Sequence, residues 1–195
     1  MTGISKDPKR VLGVRAHSGW AAYVVLCGPA DAPRILGRGR MRLCDPAIEG
    51  SKQPFHEAEP MTFARAESFV AGCRASTHRL AMDALEELSP LSRCCLLTAA
   101  GRALPDLKAI LASHTLIHTA EGAFYRDAVA EACAAKDIEV LRIRERDLES
   151  EAEHLKDWRR RIADFGKEVG SPWTQDEKLS ALGAWLALAA KRPNG

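Results

Sequence analysis

No uninterrupted apolar run in this 195-residue chain approaches the roughly 20 residues needed to span a bilayer. The N-terminus, MTGISKDPKR, is polar and lacks the apolar stretch of a secretory signal. A soluble, cytoplasmic protein with no membrane partner is expected. A cysteine framework is missing too: Cys27, Cys44, Cys73, Cys94, Cys95 and Cys133 include no C-x-x-C pair, so they read as small core residues and not as a zinc ribbon or disulfide scaffold. An excess of one charge sign is also absent. With a net charge of +2, bulk electrostatics would not drive the chain onto a polyanion, and any nucleic-acid site must come from local clustering. There is no internal repeat and no low-complexity tract.

What remains is an ordinary globular composition, 46% hydrophobic and 28% charged. One domain over 1–195 is expected, with a helical C-terminal part over 146–190. Residues 11–17 and 20–27 are rich in β-branched and aromatic residues and flank the turn signal Ser18-Gly19, which predicts a hairpin. Period-two alternation over 35–43 predicts a third, half-exposed strand, followed by a proline-bearing loop over 45–60. Helical spacing over 64–88 leads to a buried strand at 94–98. A further helix runs over 105–136, with a break at Ser113 or Gly122, and a last strand covers 138–143. The final helix starts at a capping box, Thr174 with Glu177, and its apolar run over 181–190 offers a homodimer contact. Three strands joined by short loops and two reached by helical crossovers predict a mixed five-stranded sheet, an antiparallel meander plus two parallel strands, flanked by helices.

Chemistry concentrates at His114, His118, Glu121 and Tyr125. At about 100° per residue these four fall on one helix face, where two imidazoles and a carboxylate could serve proton transfer, a transition metal or a plain hydrogen-bond network. His17 and Ser18 lie at the first hairpin turn, close to the carboxyl end of the first strand, where ligands of such sheets gather. Asp176 either complements the dipole of the last helix or joins a site; Trp173 either anchors that helix or stacks on a planar ligand. Arg38, Arg40 and Arg42 project from one strand face with a repeat of roughly 6.8 Å, a row suited to successive phosphates. Arg142, Arg144, Arg146 and Arg159 to Arg161 interleave with acids and read as a salt-bridged surface. His56, alone in its loop, reads as an exposed histidine.

Leu12-Gly13-Val14-Arg15 followed by Gly19-Trp20-Ala21-Ala22-Tyr23-Val24-Val25, then Ala120-Glu121-Gly122 with 138–143, then 173–188, occur in an order that resembles the ribonuclease-H-like superfamily, most nearly its Holliday-junction resolvase branch. That resemblance implies the mixed sheet just described and a nucleic-acid partner. It also implies Mg²⁺ held by an Asp on the first strand, a Glu near the end of the fourth and acids on the last helix. Here the first-strand position is Arg15, residues 94–102 contain no acid, and Asp176 beside Glu177 remains. A hard divalent cation needs converging carboxylates, so the standard two-metal arrangement is not expected. The sequence thus favours binding of nucleic acid or a nucleotide-like anion. A hydrolase or metal-dependent enzyme using the His/Glu cluster with Asp176, and a non-catalytic interaction protein, stay open; the residues name no cofactor.

Overall fold

A computed structural model describes residues 9–99 and 103–191. Residues 1–8, the stretch 100–102 after the fourth strand and the tail 192–195 lie outside the described residues. The strands are β1 (Arg10–His17), β2 (Trp20–Cys27), β3 (Arg34–Arg42), β4 (Arg93–Thr98) and β5 (Glu139–Arg144). They form one sheet in the order β3-β2-β1-β4-β5. β1 pairs antiparallel with β2 and β2 with β3, whereas β4 lies parallel to both β1 and β5. This is the mixed sheet the element order predicts. The hairpin turn is two residues long, since His17 pairs with Trp20, and Gly19 supplies its positive φ of 84°.

Seven helices are described: α1 (Pro54–Ala58), α2 (Phe63–Leu88), α3 (Leu107–Leu111), α4 (His114–Ala135), α5 (Leu148–Glu151), α6 (Trp158–Val169) and α7 (Gln175–Ala189). Strand alternation divides the core between two helix layers. Leu12, Val14, Cys94 and Leu96 pack with α1 to α4, while Val11, Cys95 and Leu97 pack with α5 to α7. Both faces of the central strands are therefore covered, which explains their continuous apolar runs. Five of the six cysteines are buried in these layers, and all six are free thiols.

Of the two break points the sequence offered in the helix over 105–136, one is used, and the loop over 45–60 differs from expectation. The helix expected over 105–136 divides at Ser113, whose extended backbone (φ −142°, ψ 111°) restarts the chain as α4; Gly122 is passed without a break. Asp106 caps the first piece by accepting a hydrogen bond from the Ala109 N–H at 2.8 Å. The loop expected over 45–60 contains α1, which begins on Pro54 and buries Phe55 and Ala58.

α7 lies directly on the sheet. A Cβ at Gly13 would stand 1.8 Å from the Ser180 carbonyl oxygen, and one at Gly183 would stand 3.0 Å from the Cys95 Sγ. The helix is fastened at both ends. Thr174 and Glu177 form the expected capping box, and the buried Arg93 donates to the Ala187 and Ala190 carbonyls at 2.9 and 2.8 Å, placing a cation at the negative end of the helix. The apolar residues Ala181, Leu182, Ala184, Trp185 and Ala187 are spent inside the chain, each at most 3% exposed. The apolar side of that helix, from which a homodimer contact was expected, is wrapped by the sheet and α6. None of the described helices is long and apolar enough to cross a membrane.

Gly13→Ala must push α7 off β1, because the clash is with backbone. A loss of about 3 kcal/mol is expected, within the range of core overpacking. Gly37→Ala, where a Cβ meets nothing within 4 Å, should stay within about 0.5 kcal/mol of the native chain. Urea denaturation of the two variants checks both.

Candidate functional site

Two polar groups stand on opposite faces of the sheet. The first is at the carboxyl end of β1, on the α7 side. Odd-numbered β1 residues face α7, as the Gly13 contact shows, so Arg15 and His17 point toward the start of that helix. Arg15 grips Glu145, in the 3-10 turn after β5, through Nε to Oε2 at 2.9 Å and Nη2 to Oε1 at 2.8 Å, a two-pronged contact. Its Nη1 donates to Asp176 Oδ1. His17 Nε2 lies 3.0 Å from the same oxygen, and its ring stacks on Trp20 at 4.4 Å. Arg40 places its guanidinium 4.2 Å from the Trp20 ring, a cation–π contact beside the His17 stack.

The electrostatics follow from these contacts. The hydrogen bond to Glu145 raises the Arg15 pKa above its ordinary value, against burial and with help from Asp176. Burial works to raise the Asp176 carboxyl, but the hydrogen bond from Arg15 together with His17 outweighs it and holds the group below the usual carboxylate range. Such a site does not suit a hard divalent cation. Glu145 and Asp176 already share one guanidinium, and the end of β4 contributes Thr98 and Ala99 and no carboxylate among the described residues. A guanidinium sits where converging carboxylates would be needed.

The second group lies on the α4 side. Here the residues at 114, 118, 121 and 125 separate into an outer and an inner row. His114 and His118 are exposed, with their Nε2 atoms 3.0 Å apart, whereas Glu121 and Tyr125 are buried. Glu121 Oε1 accepts the backbone N–H groups of Phe55 at 2.7 Å and His56 at 3.0 Å, so a buried carboxylate from α4 caps the first turn of α1. His56 Nδ1 lies 3.2 Å from the same oxygen. This cap brings His56 against the pair on α4, with ring centroids 5.6 Å from His114 and 4.7 Å from His118. The Tyr125 hydroxyl donates to the Ser51 carbonyl at 2.6 Å, and burial pushes its pKa far up, so it latches the loop before α1.

The remaining predicted residues are placed as follows. Trp173 donates from Nε1 to the Ile162 carbonyl at 3.0 Å and lies against Gly166, where a Cβ would be 2.5 Å from the ring; it anchors α7 to α6. Ser18 makes no side-chain hydrogen bond among the described residues. The row of Arg38, Arg40 and Arg42 does not face outward as a unit. Arg38 turns inward to Glu177 at 2.7 Å and to the carbonyls of Pro172 and Gly170, satisfying the turn between α6 and α7. Only Arg40 and Arg42 remain exposed, which corrects the expected three-residue phosphate row. The second arginine set is paired with carboxylates as expected, Arg142 with Asp127, Arg144 and Arg146 with Asp147, and Arg159, Arg160 and Arg161 with Glu149, Asp157 and Glu168. His17 does meet Asp176, uniting the first turn with the start of α7. No hydrogen bond or ion pair among the described residues joins that pair to His114, His118 and Glu121.

Sequence reasoning missed the partners that tie these groups together. Glu145 carries no local signal of its role. His56 does: Pro54 at a helix start and Phe55 three residues before Ala58 suit a single buried turn. Arg126 also went unnoticed. It lines an open cleft at the carboxyl ends of β1, β4 and β5, walled by Arg15, His17, Arg144, Glu145 and Arg146, and continuing past Thr98 and Ala99 to His118 and Arg142.

No protein-family model matches the chain, and no curated protein matches it. Its fold is similar to that of T. thermophilus RuvC in complex with a Holliday junction substrate, with a TM-score of 0.55 and 10% identity over 91% of each chain. A second Thermus thermophilus RuvC structure gives a TM-score of 0.51 and 11% identity over 91% of this chain and 92% of that one. At such identity the likeness concerns architecture: this is a ribonuclease-H-like α/β fold.

Because its pKa is depressed in the folded chain, Asp176 adds stability that is present above about pH 4, the ordinary carboxylate value, and is lost as pH falls through its lower folded value. Asp176→Asn should cost about 1 kcal/mol at pH 7, with the deficit shrinking as pH falls below the ordinary carboxylate value and through the lowered folded one. Denaturant titrations at a series of pH values read this directly.

Proposed function

We propose that the chain binds nucleic acid along its sugar-phosphate backbone, in the cleft over the carboxyl ends of β1, β4 and β5, without the two-metal nuclease chemistry of the resolvases it resembles. The observation that carries this reading is Arg126. Its half-buried guanidinium has no carboxylate partner among the described residues, and it lines both lobes of the cleft. Burial lowers its pKa and the neighbouring Arg142 lowers it further, with Asp127 and Glu145 opposing. A bound phosphate would supply the missing counter-charge. Arg142, Arg144 and Arg146 add donors on the same wall, each sharing its charge with one surface carboxylate. Exposed pairs of this kind are weak and exchange readily for a phosphate.

The fold supports the same reading, since one solved structure of similar architecture holds a Holliday junction. The chemistry at the cleft floor argues against hydrolysis through paired Mg²⁺ ions. Arg15 takes up both nearby acids in hydrogen bonds, so neither carboxylate is free to hold a cation, and the charge that would attract phosphate comes from the surrounding arginines.

Fluorescence anisotropy with duplex and four-way-junction DNA tests the proposal. Affinity should fall steeply with salt, and the Arg126→Ala/Arg142→Ala double variant should bind at least about tenfold more weakly, with its log–log salt slope reduced by about one to two units. Arg38→Ala should lower stability while leaving the affinity of the folded fraction unchanged, because Arg38 serves the turn before α7. Equal binding by the double variant and the native chain would sink the cleft assignment.

A further inference from the structure

We propose that His56, His114 and His118 form a binding site for one divalent transition ion of the zinc class, with Glu121 as the carboxylate that orients His56. Three of the six histidines in the chain meet here. Each offers a ring nitrogen, and the three nitrogens lie within 4.8 Å of one another. A tetrahedral ion with bonds of about 2.0–2.1 Å holds its ligand nitrogens roughly 3.3 Å apart, so small side-chain rotations suffice to close the set. The rings are steeply inclined to one another, at 87°, 65° and 83° for the three pairs, which lets three lone pairs converge without stacking.

The supporting contacts fit the same reading. His114 and His118 are one turn apart on α4, and their Nε2 atoms already face each other. His56 presents Nδ1 to Glu121, so its Nε2 is left as the ligand atom, the arrangement in which a carboxylate fixes the tautomer of a metal-bound imidazole. Glu121 is an independent pointer. It is 5% exposed, its Oε1 accepts two backbone N–H groups and lies 3.2 Å from His56 Nδ1, and its Oε2 has no hydrogen-bond partner among the described residues. A buried carboxylate with one oxygen left unpaired gains from a cation one imidazole away. Nitrogen ligands and the absence of a carboxylate oxygen among the three select Zn²⁺, Co²⁺, Ni²⁺ or Cu²⁺ over Mg²⁺ or Ca²⁺. His114 and His118 are exposed, so a fourth position would open to solvent or to an exogenous ligand. None of this depends on the nucleic-acid reading, whose arginines lie farther along the cleft.

The test uses the full chain stripped of metal with a chelator and titrated with CoCl₂, followed by visible ligand-field absorption, and with ZnCl₂ by calorimetry. One ion per chain with visible Co²⁺ bands is expected. His56→Ala, His114→Ala and His118→Ala should each weaken binding at least about 100-fold, and Glu121→Gln about tenfold, in line with the effect of outer-shell partners. His154→Ala, an exposed histidine elsewhere, should bind as the native chain does. Far-ultraviolet dichroism confirms that the three surface histidine variants are folded. An absence of Co²⁺ bands at millimolar metal, or native affinity in His56→Ala, overturns the three-imidazole site.

Discussion

The approach of α7 to β1 at Gly13 is the constraint on which the rest of the molecule turns. Because no side chain intervenes there, the helix backbone rests on the strand, and Ser180 can donate to the Ala22 carbonyl at 3.3 Å. That contact fixes where the helix begins. Two residues further along β1, on the same face, Arg15 meets the first turn of α7 at Asp176, and the next such position, His17, meets it again. The terminal clamps, Arg38 with Glu177 at one end and Arg93 at the other, hold the helix in this register. The site at the strand ends is thus a consequence of packing: once a glycine lets the helix down onto the sheet, the chemistry of residues 15, 17 and 176 must be mutually compatible.

Compatibility explains the charge pattern. An acid at position 15 would confront Asp176 and Glu145 at close range and would require a cation to be stable. A guanidinium instead satisfies both without one, through three short donors in a fixed fork. The price is that a divalent ion has no place left among the oxygens. The positive charge of the cleft comes from Arg126 and the arginines of β5, while Arg15 keeps the two acids of its floor occupied.

Architecture was legible in the sequence because it depends on signals with a period: alternation in β3, apolar runs in β1 and β4, helical spacing in α2 and α7, and crossovers long enough for parallel pairing. The capping box at Thr174 was equally plain. Less legible were features that depend on a partner distant in sequence. Arg38, Arg40 and Arg42 have the same spacing, yet only tertiary context shows that Arg38 caps a turn more than 130 residues away. The apolar side of α7 looked available for a second copy until the sheet was seen to cover it. His56 looked solitary because its neighbours lie nearly 60 residues further on, and nothing local announces that Glu121 caps the helix that carries it.

The stripe on α4 shows how a correct periodicity can still mislead. Positions 114, 118, 121 and 125 do share a side of the helix, but a side about 60° wide spans the boundary between core and solvent. Ile117, Glu121 and Tyr125 turn inward, where Glu121 and Tyr125 hold α1 and the loop before it. His114 and His118 belong to the adjoining row, which continues through Gly122 to Arg126. At Gly122 a Cβ would lie 3.4 Å from the Arg126 guanidinium, so the glycine leaves room for that side chain to fold back along the helix toward His118. The outer row therefore carries imidazoles at one end and, at the other, a guanidinium with no ion-pair partner among the described residues, and His118 and Arg126 line one cleft. A single helix face thus sets imidazoles and a guanidinium side by side, above a buried row that holds α1 and the loop before it.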